Sequence, residues 1–253
     1  MKDNNKHQIS ENIIAGKNAV TEALSGEREI DSIYLLKGSN ASAAKIIALA
    51  KKAGIPIKET TAQKLDSMAD GVTHQGVVAT VAAHKFATVE EILQRADGEH
   101  PFIIIADSIE DPHNLGAIIR TAEAAGAHGV IIPKRRGVSL TATVAKTSAG
   151  AIEHMPVARV SNLVATVKDL KKKGIWVYGA DMDGQTWCQT DMSGGVALVI
   201  GSEGEGISRL LKEECDFVLS LPMNGKINSL NASVAAGILM YEVARQRGGY
   251  RAK

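Results

Sequence analysis

The second half of the chain carries short, unbroken apolar runs: Phe102–Ala106, Val130–Ile132, Ile175–Tyr178, Val196–Ile200 and Phe217–Leu219. Runs without polar alternation predict strands covered on both faces, as in a parallel sheet between layers of helices. The segments between them, Leu115–Ala125, Asn162–Lys173, Ile207–Glu213 and Ala232–Gln246, have helical spacing. On the first, Leu115, Ile118, Ile119 and Ala122 fall on one stripe and Arg120 lies off it. The pattern predicts an α/β domain with a mostly parallel sheet over residues 102–253. Residues 12–82 read as a smaller α/β unit. It has a helix from Gly16 to Leu24, a strand Ser32–Leu36, a helix Ala41–Ala53 closed by Gly54, and a strand Val77–Val81 after His74-Gln75-Gly76. The domains are therefore expected at 1–82 and 102–253. Between them, 83–101 is a polar linker with one helix around Ile92 and Leu93.

A chain of 253 residues has room for two cores. Its 45% hydrophobic and 23% charged residues suit a soluble globular protein, and no apolar run approaches the roughly 20 residues of a membrane helix. The polar start, Met1–His7, lacks the apolar stretch of a secretory signal. Cys188 and Cys215 stand apart without a CxxC partner, which fits a reducing cytoplasm and speaks against a disulfide framework or a metal site. The net charge of +1 is too small for a broad phosphate-binding face. Contact with nucleic acid would fall to a local patch, for which Lys134, Arg135 and Arg136 qualify; a plain solvated loop reads the same way.

Three glycine- and asparagine-rich turns then follow apolar strands in fixed order: Asp107–Arg120, Gly201–Gly206 and Leu221–Asn231. In an open α/β sheet, ligands bind at the carboxyl ends of the strands. In the first turn Asp111-Pro112 ends the extended chain and Asn114 suits a helix N-cap. Arg120 is either a solvent-facing arginine or a functional one, the second reading resting on Asn114 two turns earlier on the same helix. In the second turn the glycines run G-x-x-G-x-G rather than G-x-G-x-x-G, and Glu203 and Glu205 would repel a pyrophosphate. A loop that tolerates acid favours a cationic or neutral ligand; S-adenosylmethionine meets that condition better than a nicotinamide dinucleotide. In the third turn Ser229 and Asn231 both stand where the last helix needs a cap. Leu221 and Leu230 are either core leucines or the walls of an adenine site.

Together, Asp111–Arg120, Gly201–Gly206 and Pro222–Asn231 resemble the three signature motifs of the SpoU/TrmH RNA ribose methyltransferases. The His74-Gln-Gly unit and the ending Glu242–Arg247 resemble the RlmB-like subgroup, which methylates a guanosine 2′-oxygen of 23S rRNA. The resemblance runs from about Ile13 to Arg247. It implies a trefoil knot in the parallel-sheet domain, S-adenosylmethionine bound in that knot, and a homodimer whose active sites draw on both subunits. It also implies an N-terminal domain that recognises RNA, with His74 as a candidate contact; the basic patch Lys134, Arg135 and Arg136 is separately expected on phosphate. By motif position, Gly201, Leu221 and Leu230 contact the cofactor, with Gly179, Ala180 and Asp181 beside them. Asn114, Arg120, Glu203, Ser229 and Asn231 carry over as catalytic residues.

The reaction so implied is transfer of a methyl group to a ribose hydroxyl. The methyl donor is already cationic, so no metal is required, and alignment of the two partners supplies much of the rate. The hydroxyl proton is the difficulty, because a guanidinium is a poor base. Arg120 either clamps the RNA phosphate beside the target ribose or acts as neutral guanidine; bidentate phosphate binding favours the clamp. The rival readings are a tRNA methyltransferase, a dehydrogenase-type nucleotide-binding enzyme and a non-catalytic RNA-binding assembly factor.

Overall fold

A computed structural model describes residues 13–25, 30–39, 41–69, 71–81, 84–227 and 229–248. The chain divides into two units, residues 1–85 with 139–142 and residues 86–138 with 143–253.

The first unit is a four-stranded sheet of β1 (Ile13–Ala15), β2 (Ile30–Leu36), β3 (Ile57–Thr60) and β4 (Val77–Val81), in the order β1-β4-β2-β3. Only β2 and β3 run parallel. Strand alternation divides the core between the two faces. Val77 and Ala79 join Ile33, Leu35 and Ile46 on one, while Val78 meets Leu65 on the other. Helices α1 (Lys17–Ser25), α2 (Ala44–Lys52) and α3 (Ala62–Ala69) cover these faces. Gly54, at φ +68, ends α2 as its position after the helix predicts.

The second unit is a six-stranded, wholly parallel sheet. It contains β5 (Phe102–Ala106), β6 (Gly129–Pro133), β7 (Val157–Val160), β8 (Trp176–Thr186), β9 (Val196–Ile200) and β10 (Phe217–Ser220). The order is β10-β8-β9-β5-β6-β7, and every residue of the central pair β5 and β9 is buried. This matches the unbroken apolar runs that predicted it. The helices are α4 (Val89–Gln94), α5 (Pro112–Ala124), α6 (Ala142–Thr147), α7 (Leu163–Lys172), α8 (Arg209–Lys212) and α9 (Ala232–Gly248). No described helix is long and apolar enough to cross a membrane.

Two details differ from the sequence expectation. Helix α5 starts at Pro112, and its N-cap is Asp111, whose carboxylate accepts from His113 N–H at 2.9 Å. Proline is preorganised for the first helical position, so it draws the start back and releases Asn114 from capping. Part of the polar stretch 83–101 is built into the second unit. A Thr88–Glu91 capping box starts α4, and Ile92 is fully buried so close to Gly129 that a Cβ there would fall 2.5 Å from it.

The end of α9 is clamped to the sheet. Arg247 donates to the carbonyls of His100, Pro101 and Gly194, ahead of β5 and β9. Buried Glu242 accepts two hydrogen bonds from Arg245 and one from Gln246, whose own Oε1 receives Met192 N–H. Arg245 holds the Glu242 carboxyl below its usual range, and Gln246 assists against the opposing effect of burial. Replacing Glu242 by glutamine is expected to cost about 1.5 kcal/mol at neutral pH, the low end for charged hydrogen bonds because Arg245 is half exposed. A depressed folded-state pKa stabilises fully above the unfolded value and loses that contribution as pH falls through the folded one. The gap between the two proteins in urea unfolding should therefore narrow below about pH 4.

Candidate functional site

The carboxyl ends of β9 and β10, and β8 just past its pairing with β9 at Gly179, meet around a cavity of about 290 Å³. Its walls include Ala180 and Asp181 from β8, Gly201–Gly206 after β9, and Leu221, Met223, Ser229 and Leu230 after β10. A groove of about 390 Å³ between α1 and α2 in the first unit is larger, but no residue of the three turns lines it. The site is therefore assigned to the smaller cavity.

The loop after β9 owes its shape to its glycines. Ser202 and Gly206 exchange backbone hydrogen bonds of 3.1 and 3.0 Å, and Gly204 and Gly206 take φ of +92 and +68. Gly201 meets the returning chain so closely that a Cβ there would lie 2.1 Å from the Gly206 carbonyl carbon. Beyond the loop, the buried Asp107 carboxylate at the end of β5 accepts Ser208 N–H at 2.7 Å. The G-x-x-G-x-G spacing thus follows from one close approach and two left-handed residues.

Glu203 is the hub of a polar network. Its Oε1 accepts from Asn114 Nδ2 at 3.1 Å, from Asn231 Nδ2 and from Ala232 N–H at 3.3 Å. Asn231 Nδ2 also donates to Asn114 Oδ1 at 2.8 Å. The Asn231 Oδ1 in turn accepts from Ser233 N–H at 3.0 Å and Val234 N–H at 3.3 Å, so Asn231 is the cap of α9. Glu203 therefore sits at a helix N-terminus, where the positive end of the dipole favours a carboxylate. Ser229 makes no capping bond among the described residues and lines the cavity.

Of the residues singled out from sequence, Ala180, Asp181, Gly201, Glu203, Leu221, Ser229 and Leu230 all line the cavity. Gly179 does not: it is buried against Cys215, whose Sγ would be 2.9 Å from a Cβ there. Asn114 stands behind Glu203, 6% exposed. Arg120 is exposed and makes no hydrogen bond or ion pair among the described residues. Six residues beyond Asn114, it lies about 9 Å along the helix and about 240° around it, so the two face different directions. Sharing a helix does not make them companions. Lys134, Arg135 and Arg136 follow β6 at the same sheet edge that carries the cavity, and Arg136 has φ +59. In the first unit, His74 Nδ1 accepts Gly76 N–H at 2.9 Å, which leaves Nε2–H to donate to Asp66 at 3.0 Å.

Sequence reading missed Met182, Met223 and Leu239, which also line the cavity, and Lys212, which pairs with Asp181 at 2.9 Å. Met182 and Met223 sit within the segments already marked by Asp181 and Leu221, a signal that was available. Lys212 had none.

A parallel α/β sheet with an acidic, apolar-walled cavity at its carboxyl edge belongs to the class that binds nucleotide-derived ligands. The chain belongs to the SpoU rRNA methylase family, whose profile matches residues 101–241. A second profile, RNA 2′-O ribose methyltransferase substrate binding, matches residues 13–87. The Bacillus subtilis protein YacO, assigned to the TrmH family of tRNA/rRNA methyltransferases, is 52% identical over 238 residues, which cover 92% of this chain and 95% of YacO. The TrmH/SpoU tRNA modifying enzyme of A. aeolicus is 28% identical, with TM-score 0.55 over 63% of this chain and 80% of that one. The fold also matches the SpoU methyltransferase AviRb of Streptomyces viridochromogenes, solved with the cofactor AdoMet: TM-score 0.59, 24% identity, 98% and 95% of the two chains.

Proposed function

We propose that this protein transfers a methyl group from S-adenosylmethionine to a ribose 2′-hydroxyl of RNA, with a guanosine of 23S rRNA as the target. The observation that carries the reading is the cavity itself, lined by two of the family turns, with Asn114 of the remaining turn held behind it by Glu203. Its charged wall residues are Asp181, Glu203 and Glu205, all carboxylates, and its apolar surface includes Leu221 and Leu230. Asp181 is paired with Lys212, so Glu203 and Glu205 are the carboxylates left for a cationic ligand end, and the leucines suit a flat apolar one. S-adenosylmethionine supplies both, along with a methyl group on an already cationic sulfur. Leu221 and Leu230 would flank the adenine, Gly201 and Ala180 would contact the cofactor through backbone, and Asp181 through its carboxylate. Gly179 would act only from behind, by setting the strand end.

The remaining roles follow from geometry. Glu203 holds Asn114 and Asn231 and has its accepting oxygen occupied by three donors, so it is assigned to positioning rather than proton removal. Ser229 faces the cavity and is assigned to orienting the ribose. Arg120 is assigned to the RNA phosphate at the active site of a second subunit. In support, Val234, Ile238 and Tyr241 form an exposed apolar stripe along α9, suited to a copy of the same helix. Thr121, the residue after Arg120, has its methyl group 3.7 Å from where a Cβ at Gly237 of α9 would stand, so α5 and α9 pack together here, which supports the assignment. The homodimer, the trefoil knot and a cytoplasmic location belong to this reading. So do an RNA-recognising unit within 1–82 containing His74 and the short connection to the catalytic unit.

The assembled Asn114–Glu203–Asn231 network disfavours a non-catalytic assembly factor, since nothing in RNA binding alone requires it. tRNA is the alternative substrate. The test is transfer of tritium from labelled S-adenosylmethionine to unmodified 23S rRNA fragments and unmodified tRNA side by side. Label on one rRNA guanosine ribose supports the assignment; label on tRNA alone replaces the substrate; no label on either overturns the activity. Lys134, Arg135 and Arg136 lie at the cavity's sheet edge and are assigned to phosphates. Replacing all three by glutamine is expected to flatten the slope of log K for RNA against log salt by about 2–3, and an unchanged slope makes the patch plain surface.

A further inference from the structure

We propose that Lys212 is a positioning residue of the cavity: it fixes the Asp181 carboxylate in the wall as an acceptor for the hydroxyls of the cofactor's ribose. This rests on the S-adenosylmethionine reading above. Lys212 does not line the cavity; its Nζ reaches Asp181 Oδ2 at 2.9 Å from the last turn of α8, and the two side chains are 32% and 17% exposed. The same Oδ2 lies against Gly206, where a Cβ would stand 3.7 Å away. The carboxylate, on a residue midway along β8, is thus caught between the loop after β9 and Lys212, its charged partner.

The support beneath Lys212 is independent of the pair. Asp107 tethers Ser208, one residue before α8, through its backbone N–H at 2.7 Å. After α8, Cys215 packs against Gly179, and Asp216 accepts Val177 N–H at 2.9 Å while pairing with Lys171 at 2.7 Å. Lys171 also donates to the Glu214 carbonyl at 3.0 Å. The segment 208–216 is therefore anchored at both ends, and the lysine projects from a fixed platform. Loss of the ammonium would release Asp181 without undoing the helix.

The pairing also selects what Asp181 can bind. A carboxylate neutralised by Lys212 has little charge left for a sulfonium or an ammonium. The carboxylate also accepts from the backbone of Met182 and, at a long 3.5 Å, of Asp183, which leaves lone pairs for a further donor. A neutral diol is the ligand group that uses such an acceptor, the same chemistry by which an acidic residue holds a nucleotide ribose elsewhere. Glu203 and Glu205 are left to the cationic end of the ligand.

The test is calorimetric binding of S-adenosylhomocysteine and of its 2′,3′-dideoxyribose analogue to the full-length wild type, Lys212→Met, Lys212→Arg, Asp181→Asn and the Asp181→Asn/Lys212→Met double variant. The wild type is expected to prefer the diol by about tenfold. Lys212→Met and Asp181→Asn should each erase that preference, the double variant should match Asp181→Asn, and Lys212→Arg should keep most of it. Thermal unfolding of each variant separates lost binding from lost fold. Wild-type preference in Lys212→Met, equal binding of both ligands by the wild type, or additive losses in the double variant each overturn the proposal. A wild type that binds neither ligand overturns the methyltransferase reading, and this inference with it.

Discussion

Replacing Arg120 by alanine should lower methyl transfer by about a hundredfold to a thousandfold, the usual cost of removing one charged group that steadies a transition state. Cofactor affinity should stay within about twofold, because Arg120 is exposed and lines no part of the cavity. Stability should hardly change, since the side chain has no hydrogen bond or ion pair among the described residues to lose. Arg120→Lys should restore little, because an ammonium cannot grip a phosphate with two parallel hydrogen bonds. Single-turnover methylation beside calorimetric binding of the cofactor measures both quantities. A parallel fall in affinity and rate would mean that Arg120 belongs to its own chain's cavity. The pH–rate profile then separates clamp from base: an apparent pKa that vanishes when a neutral linkage replaces the adjacent phosphate supports the clamp.

The direction in which Arg120 points was not legible in the chain. Its distance from Asn114 along the sequence is short, yet a helix turns the two residues to different faces. What the sequence did carry was anything that burial or backbone approach imposes locally. Strands β5 and β9 were readable because both of their faces are covered and polar residues have no place there. Strands β3 (Ile-Lys-Glu-Thr) and β7 (Val-Ala-Arg-Val) escaped notice because they are sheet edges, where charge is tolerated. Helix α6 (Ala-Thr-Val-Ala-Lys-Thr) escaped because one buried valine gives no stripe. In the site, the glycines at Gly201, Gly204 and Gly206 announced a tight loop, since no other residue fits there cheaply. The Lys212–Asp181 pair and the Asp107–Ser208 tether announced nothing. They join residues far apart in sequence, and charged side chains on a short helix look alike whether they face water or a partner.

The substitution with the widest consequences is Gly201→Ala. A Cβ at this position would lie 2.1 Å from Gly206 C and 2.3 Å from Ile207 N, both backbone atoms that no rotamer change can move aside. To reach ordinary contact the loop must shift by more than about 1 Å, at a cost of about 2–3 kcal/mol in stability. The shift displaces Glu203 and so the network with Asn114 and Asn231, and it moves the wall of the cavity. A misplacement of that size at a site of chemistry costs about a hundredfold in rate, and cofactor binding should fall with it. Gly194→Ala, with open space around it and no left-handed φ, should leave both unchanged and serves as the control. Pairing the two damaged chains adds a further test. If the active site takes its cavity from one subunit and Arg120 from the other, co-refolded Gly201→Ala and Arg120→Ala chains form mixed dimers with one intact site. About a quarter of wild-type activity should then return from two inactive proteins. No recovery, with mixed dimers demonstrated by differential tagging, would place Arg120 and the cavity of the same chain in one active site.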